Sequence, residues 1–280
     1  MASPGSGQPP QTPAAAGDRA PIAAGLSGPS GRRVRVLTYN IECGKKLAGV
    51  LDVLQSNPAD VILLQEVPIR SPRRSPPDHG AWLADRLGMR YAAEPGWADH
   101  LPPGIIGLGL LVNGRILSRG CLPRAPERRF ALTAEVEAAG LCFAVCSAHL
   151  RSPVRPLLAG FPATMPVRMR QARHIVNWAR SQRLPVVVGG DFNTLAWTPE
   201  YHVMRRALRD CAREAGRPRP TRTTWGVPMR IDYFFVSSHW RIIDCRTIRA
   251  DASDHSPLAM ELEPNEPGGD LRVGIVSCRP

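Results

Sequence analysis

Lysine is almost missing from this chain: of its 36 basic residues, only Lys45 and Lys46 are lysines. So lopsided an arginine share makes the net charge of +12 a mark of composition as much as of a nucleic-acid partner. The ends do not carry the excess. Residues 1–33 contribute +2 and residues 264–280 nothing, which leaves +10 on 34–263. Such a body attracts polyanions in a salt-dependent way without choosing among them. Long apolar runs are also missing. The richest, GIIGLGLLV (104–112), is half the length a membrane helix needs, so no integral membrane association is expected. No basic stretch followed by an apolar one opens the chain, so no secretory signal is expected either. The seven cysteines contain no Cys-x-x-Cys pair, which excludes a zinc knuckle and a thioredoxin-like motif. Scattered thiols in odd number suit a reducing compartment, and a cytoplasmic location is expected.

What is present is ordinary in bulk: 280 residues, 43% apolar and 21% charged, enough for one large domain. Residues 1–31 are Pro, Ala, Gly and Ser with little to bury and read as a disordered leader. Residues 32–263 form the body, and 264–280 a linker-like C-terminal tail. Strand-like runs fall at 33–40, 60–66, 105–112, 130–137, 141–150, 186–192, 231–237, 240–245 and 258–263. The pair 130–137 and 141–150 reads as a hairpin. Helical spacing marks 45–56, 166–183 and 199–214, the last with Thr198 as N-cap and Pro199 at the first position. Hairpins mixed with crossovers argue for α/β layers with partly antiparallel sheets.

The informative pattern lies at the strand ends. Asn40 closes RVRVLTYN, Glu66 closes DVILLQE, and His149 ends LCFAVCSAH. Asp191 and Asn193 follow VVVGG, Asp232 opens DYFFV, and Asp254-His255 precede the final strand. One such residue is a turn former or cap more often than a catalyst. Six strands marked this way exceed what turn chemistry requires. The oxygen ligands Asn40, Glu66, Asp191, Asn193 and Asp254, with no thiolate cluster, suit Mg2+ or Mn2+. Such an ion stabilises charge developing on a phosphoryl group. Imidazoles beside carboxylates supply acid/base pairs, and no Ser or Cys nucleophile motif is present. Direct attack of water on a phosphoester is the chemistry this inventory serves.

The ordered motifs TYNIECG (38–44), DVILLQEV (60–67), CSAHL (146–150), VVVGGDFN (186–193), RIDYFFVS (230–237) and ASDHSPLAMEL (252–262) resemble the endonuclease/exonuclease/phosphatase superfamily, the pancreatic-deoxyribonuclease-like fold. The resemblance implies a four-layer α/β/β/α sandwich, with two mixed β-sheets packed face to face and a site at one sheet edge. It implies hydrolysis of phosphodiesters or phosphomonoesters with Mg2+. On that resemblance Glu66 is the principal metal ligand, joined by Asn40 and Asp254. Asp191 and Asn193 orient water and phosphate and hold a second ion if there is one. His255 is base or phosphate ligand, oriented by Asp232, and His149 hydrogen-bonds the phosphoryl group. The base is Asp191 or His255. Glu42 reaches the metal shell or is a solvated loop residue. The chain departs from the family at GLGLLVNG (107–114), where Leu108 and Val112 replace a polar substrate-contacting run.

Two Arg-rich segments flank site residues. PIRSPRRSPPDHG (68–80) carries Arg70, Arg73 and Arg74; 213–230 carries Arg213, Arg217, Arg219, Arg222, Arg230 and Trp225. Together they read as a positive funnel, and a nuclease acting on DNA or RNA is the favoured expectation. The alternative is a phosphodiesterase or phosphatase for a phospholipid headgroup or small metabolite, with Leu157, Leu158 and Phe161 as its apolar segment. A catalytically inactive binding module is disfavoured because the main positions are all filled. A monomer is the default expectation.

Overall fold

The computed structural model describes residues 32–69, 75–99, 104–122, 131–153, 157–224 and 226–265. The expected leader and nearly all of the tail lie outside them, as do Arg70, Arg73, Arg74 and Trp225.

Two six-stranded mixed sheets make the body. The first contains β1 (Val34–Asn40), β2 (Val61–Ile69), β3 (Arg90–Asp99), β4 (Gly104–Val112), β13 (Trp240–Thr247) and β14 (Leu258–Pro264), in the order β13-β14-β1-β2-β4-β3. The second contains β5 (Gly114–Cys121), β6 (Ala131–Ala138), β7 (Leu141–His149), β8 (Val186–Asp191), β9 (Arg209–Asp210) and β12 (Asp232–Val236), in the order β5-β6-β7-β8-β12-β9. Each sheet has one parallel pair at its centre, β1 with β2 and β7 with β8. A small hairpin, β10 (Arg222–Thr224) and β11 (Val227–Met229), stands apart.

The two-residue alternation of strand side chains creates the layers. Val34 and Val36 of β1 join Val145, Val187 and Phe234 from the other sheet in a shared core. Leu37 and Tyr39 point the other way, onto α1 (Leu47–Ser56) and α2 (His79–Leu87). On the second sheet's outer face, Cys146, Val188 and Phe235 meet α3 (Leu157–Ser181) and α4 (Pro199–Ala207). This is the expected four-layer sandwich. The hairpin is as read, with Ala139 and Gly140 both at positive φ in its turn.

Local expectations need correcting in four places. The helix expected at 199–214 ends at Ala207, because Leu208 turns extended and Arg209–Asp210 pair with Val236 and Phe235. Asp210 then caps a separate short helix, α5 (Cys211–Glu214). The helix expected from 166 begins nine residues earlier and runs through Pro162 and Pro166. The end of the Arg-rich segment 68–80 is helical: His79 opens α2 and is buried, Asp78 caps that helix and Gly88 closes it. Strands β3, β5 and the short β9, β10 and β11 fall outside the expected runs; nearly all residues of β5 are exposed, so it carries no alternation.

Candidate active site

The polar residues meet where the two sheets share an edge. Parallel pairing of β7 with β8 sets His149 opposite Asp191, and antiparallel pairing of β8 with β12 sets Asp191 opposite Asp232. Asn40 ends β1 across the sandwich, beside Gln65. Glu66 follows at a break in the β2–β4 register and has φ 55, so a bulge turns its side chain toward the edge. The loop before β14 is held by Ser253, whose hydroxyl donates to the Asn40 carbonyl at 2.7 Å and accepts from the His255 amide at 3.2 Å.

Asp191 is the hub. Its Oδ2 lies 3.1 Å from Asn40 Nδ2, 3.6 Å from His149 Nε2 and 3.7 Å from His255 Nε2. Asn40 Nδ2 also reaches Glu66 Oε1 at 3.3 Å, while its Oδ1 accepts the Glu42 amide at 3.1 Å. Asn40 therefore draws two carboxylates toward one amide. Asp232 Oδ2 meets His255 Nδ1 at 2.8 Å, which leaves Nε2 facing Asp191. Asn193, at φ 48, donates its backbone amide to Asp191 Oδ1 at 2.9 Å and its Nδ2 to the Leu150 carbonyl at 3.1 Å. Asp254 stands at the rim, where Arg222 Nη2 donates to its Oδ2 at 2.5 Å.

The electrostatics follow from burial. Removal from water pushes the Asp191 carboxyl up to about 7; the His255 cation opposes this, and Asp232 adds to it. For His255 burial acts downward, but Asp232 and Asp191 outweigh it and lift the imidazole to about 9. Among the described residues, Asp191, Asp232 and His255 can bring three ligand atoms within 4.8 Å of one another. Two of those three groups are already hydrogen-bonded together. Glu66, more open and facing the Asn40 amide, is the freer oxygen donor. Glu66 and Asp191, two carboxylates held to one amide, form a place that a divalent cation would neutralise, and hard oxygen donors suit Mg2+ or Mn2+.

All eight expected site residues thus lie on this edge, with Asp254 at its rim. Other expectations fare differently. Glu42 is paired with Lys45. Arg230 is not a funnel residue: both terminal nitrogens bind Asp210, at 3.0 and 2.7 Å, and its guanidinium lies 4.5 Å from the Tyr233 ring centre. Arg217 is tied to Asp244, while Arg213 and Arg219 are exposed. The sequence reading missed Trp197, 72% exposed on the loop that leaves Asn193. An aromatic four residues past GDFN was the available signal. It also missed Arg168, Thr194 and Glu200, a buried cluster behind the same loop.

The sequence profile of the Endonuclease/Exonuclease/phosphatase family matches residues 37–255. The chain belongs to that family. Endonuclease/exonuclease/phosphatase proteins hydrolyse phosphoester bonds, generally with a divalent metal, and this chain is a hydrolase of that class. No curated protein matches it in sequence. Among solved structures it is similar to an endonuclease/exonuclease/phosphatase protein of Beutenbergia cavernae, at 22% identity and TM-score 0.69 over 84% of this chain and 72% of that one. It is also similar to the human Nocturnin catalytic domain, solved with a bound sulfate anion, at 18% identity and TM-score 0.67 over 84% and 94%. A third is ANGEL2, a 2',3'-cyclic phosphatase, at 14% identity and TM-score 0.66 over 83% and 95%. At these identities the likeness is one of fold.

Proposed function

We propose that the protein is a Mg2+- or Mn2+-dependent phosphodiesterase that cleaves nucleic acid by direct attack of water. The observation that carries this reading is the unbroken polar chain Asp232–His255–Asp191–Asn40–Glu66, with His149 beside it, along one sheet edge. Glu66 is the principal cation ligand and Asp191 its neighbour. Asn40 orients both carboxylates, because its Nδ2 faces them and its Oδ1 is turned to the Glu42 amide. When bound, the cation supplies Lewis-acid stabilisation of the phosphoryl oxygens.

The rest belongs to this chain's side chains. Asp232 holds Nδ1 of His255, so the imidazole can act only through Nε2, toward Asp191 and the phosphate. His149 presents Nε2 to the same space and donates to a phosphoryl oxygen. Asp191 accepts the proton of the attacking water, because His255 opposite it already carries its own near neutral pH, and Asn193 fixes Asp191 from its own backbone amide. Asp254 anchors Arg222, whose remaining donors are free for phosphate at the rim. Nucleic acid is favoured by Trp197, an exposed indole four residues beyond Asn193 that can stack on an unpaired base, with the basic body adding a general attraction for polyanions. Cys146, Cys211 and Cys245 are buried free thiols, which suits the cytoplasm.

The test is hydrolysis of bis(p-nitrophenyl) phosphate, p-nitrophenyl phosphate and supercoiled plasmid with Mg2+, Mn2+ or EDTA. Metal-dependent nicking is expected, lost in Glu66→Ala at unchanged melting temperature and lost also in His255→Ala, which melts below wild type because its buried pair with Asp232 is gone. Glu66→Gln should raise the Mg2+ concentration for half-activity about tenfold or more, and Asp254→Asn should not. Ester turnover without nicking would transfer the substrate to a lipid headgroup or metabolite. An active Glu66→Ala enzyme would remove the metal assignment.

A further inference from the structure

Arg168 and Glu200 are about 1% exposed and face each other between α3 and α4. Charged side chains are almost never so deeply buried unless paired, and these are: Arg168 Nε donates to Glu200 Oε1 at 2.7 Å. The surrounding interface is apolar, built from Ala172, Ile175, Val176, Tyr201 and Met204. Helix packing there does not call for charge, and a buried ion pair rarely stabilises more than apolar residues of equal volume. This pair even leaves Glu200 Oε2 buried without a hydrogen-bond partner.

Its other bonds show what the pair does. Arg168 Nη1 donates to the Arg151 carbonyl at 3.4 Å and to Thr164 Oγ1 at 2.6 Å. Glu200 Oε1 also accepts from Thr194 Oγ1 at 2.8 Å. Arg151 lies two residues beyond His149, and Thr194 directly follows Asn193. The same two loops are joined by Asn193 Nδ2 on the Leu150 carbonyl, and Gln171 of α3 accepts the Arg151 amide at 3.0 Å. One buried pair thereby ties both strand-end loops of the second sheet to the helical layer behind them.

We propose that Arg168 and Glu200 are positioning residues of the active edge: they fix the backbone at Arg151 and Thr194, and through it His149 and Asn193. This rests on the reading that His149 and Asn193 serve the phosphoryl group. The pair touches no substrate and acts through the loops.

The decisive variant is Arg168→Met combined with Glu200→Leu, which keeps the volume and removes the charge. A merely structural pair predicts unchanged activity once stability is restored. Positioning predicts a melting temperature at or above wild type, with kcat for bis(p-nitrophenyl) phosphate down about 10- to 100-fold and KM within threefold. Thr194→Val, which cuts the arm from Glu200 to the loop together with the Thr194–Thr198 hydroxyl contact at 2.5 Å, should lower kcat alone and add little in the double variant. If the double variant does not fold, Thr194→Val decides. In 15N-histidine-labelled protein without metal, the His149 ring signals should move in the double variant while those of His174 stay. A stable double variant with wild-type kcat, or unmoved His149 signals, would overturn the proposal. Activity surviving in His255→Ala would instead bring down the site assignment beneath it.

Discussion

Trp197 stands with 72% of its surface exposed four residues beyond Asn193. Single exposed apolar residues are ordinary, but an indole is the costliest to leave in water and the best stacking surface to place beside a strand of bases. Stacking on one base contributes about 1–3 kcal/mol, so Trp197→Ala should weaken a labelled single-stranded octanucleotide about 5- to 150-fold in EDTA. Trp197→Phe should recover most of that, and binding of an octamer of abasic residues should not change. Fluorescence anisotropy reads all three, and an unaltered affinity for the base-bearing strand would refute stacking. At the same scale, Glu66 and Asn193 show how function uses sparse backbone conformations. Both sit at positive φ without being glycine, Glu66 at a bulge inside β2 and Asn193 just past the end of β8.

Among the elements, β8 explains the glycine pair of VVVGGDFN. A Cβ on Gly189 would stand 2.4 Å from the Phe234 ring, and one on Gly190 would stand 1.9 Å from the Ala148 carbonyl. The close approach is that of neighbouring strands and the core, not of substrate. Gly190 also has φ +146, which side chains rarely adopt. Gly190→Ala is therefore expected to cost about 3 kcal/mol or more, since clash and backbone strain add. A urea midpoint within error of wild type would contradict that. The break between α4 and α5 is likewise a tertiary matter. The apolar spacing from Val203 through Cys211 suits one helix. Yet Asp210, held by Arg230 and by the Tyr201 hydroxyl, is worth more as an edge-strand anchor and cap.

For the molecule as a whole, the buried site weighs on stability. His255 rises from 6.5 to about 9, so its paired cation stabilises the fold fully below pH 6.5 and loses that contribution as pH climbs through 9. Asp191 is raised from 3.8 to about 7, so the folded state again binds the proton better and stability again falls as pH rises through that range. Both act in one direction. In EDTA the wild-type melting temperature should exceed that of His255→Gln by more at pH 6 than at pH 9.5. Adding Mg2+ should raise the wild type most at the alkaline end, because the cation replaces the lost protons. An advantage over His255→Gln that grows with pH would contradict the burial argument.

Much of this was legible beforehand because it is local. Two-residue alternation marked nine strands and the faces they bury, but not β3, β5 or the short β9, β10 and β11. The polar residues of the site were visible because apolar strands have no packing use for Asn40, Glu66, His149, Asp191 or Asp232. What lies outside that logic depends on partners distant in sequence. Strand β5 has no buried face to give it a pattern, and the helix at 199–214 was divided by Asp210's ties to Arg230 and Tyr201. Arg230 looked like a substrate contact until Asp210 claimed it. Arg168 and Glu200 carry no local sign of burial, because a charged residue on a helix is ordinarily solvated, and only packing α3 against α4 shows that they face each other. Composition and periodicity thus determined the layers and the chemical inventory of the edge. Tertiary structure alone decided which charges were already spent on one another and which remained for a substrate, because pairing across 20 or more residues has no period to read.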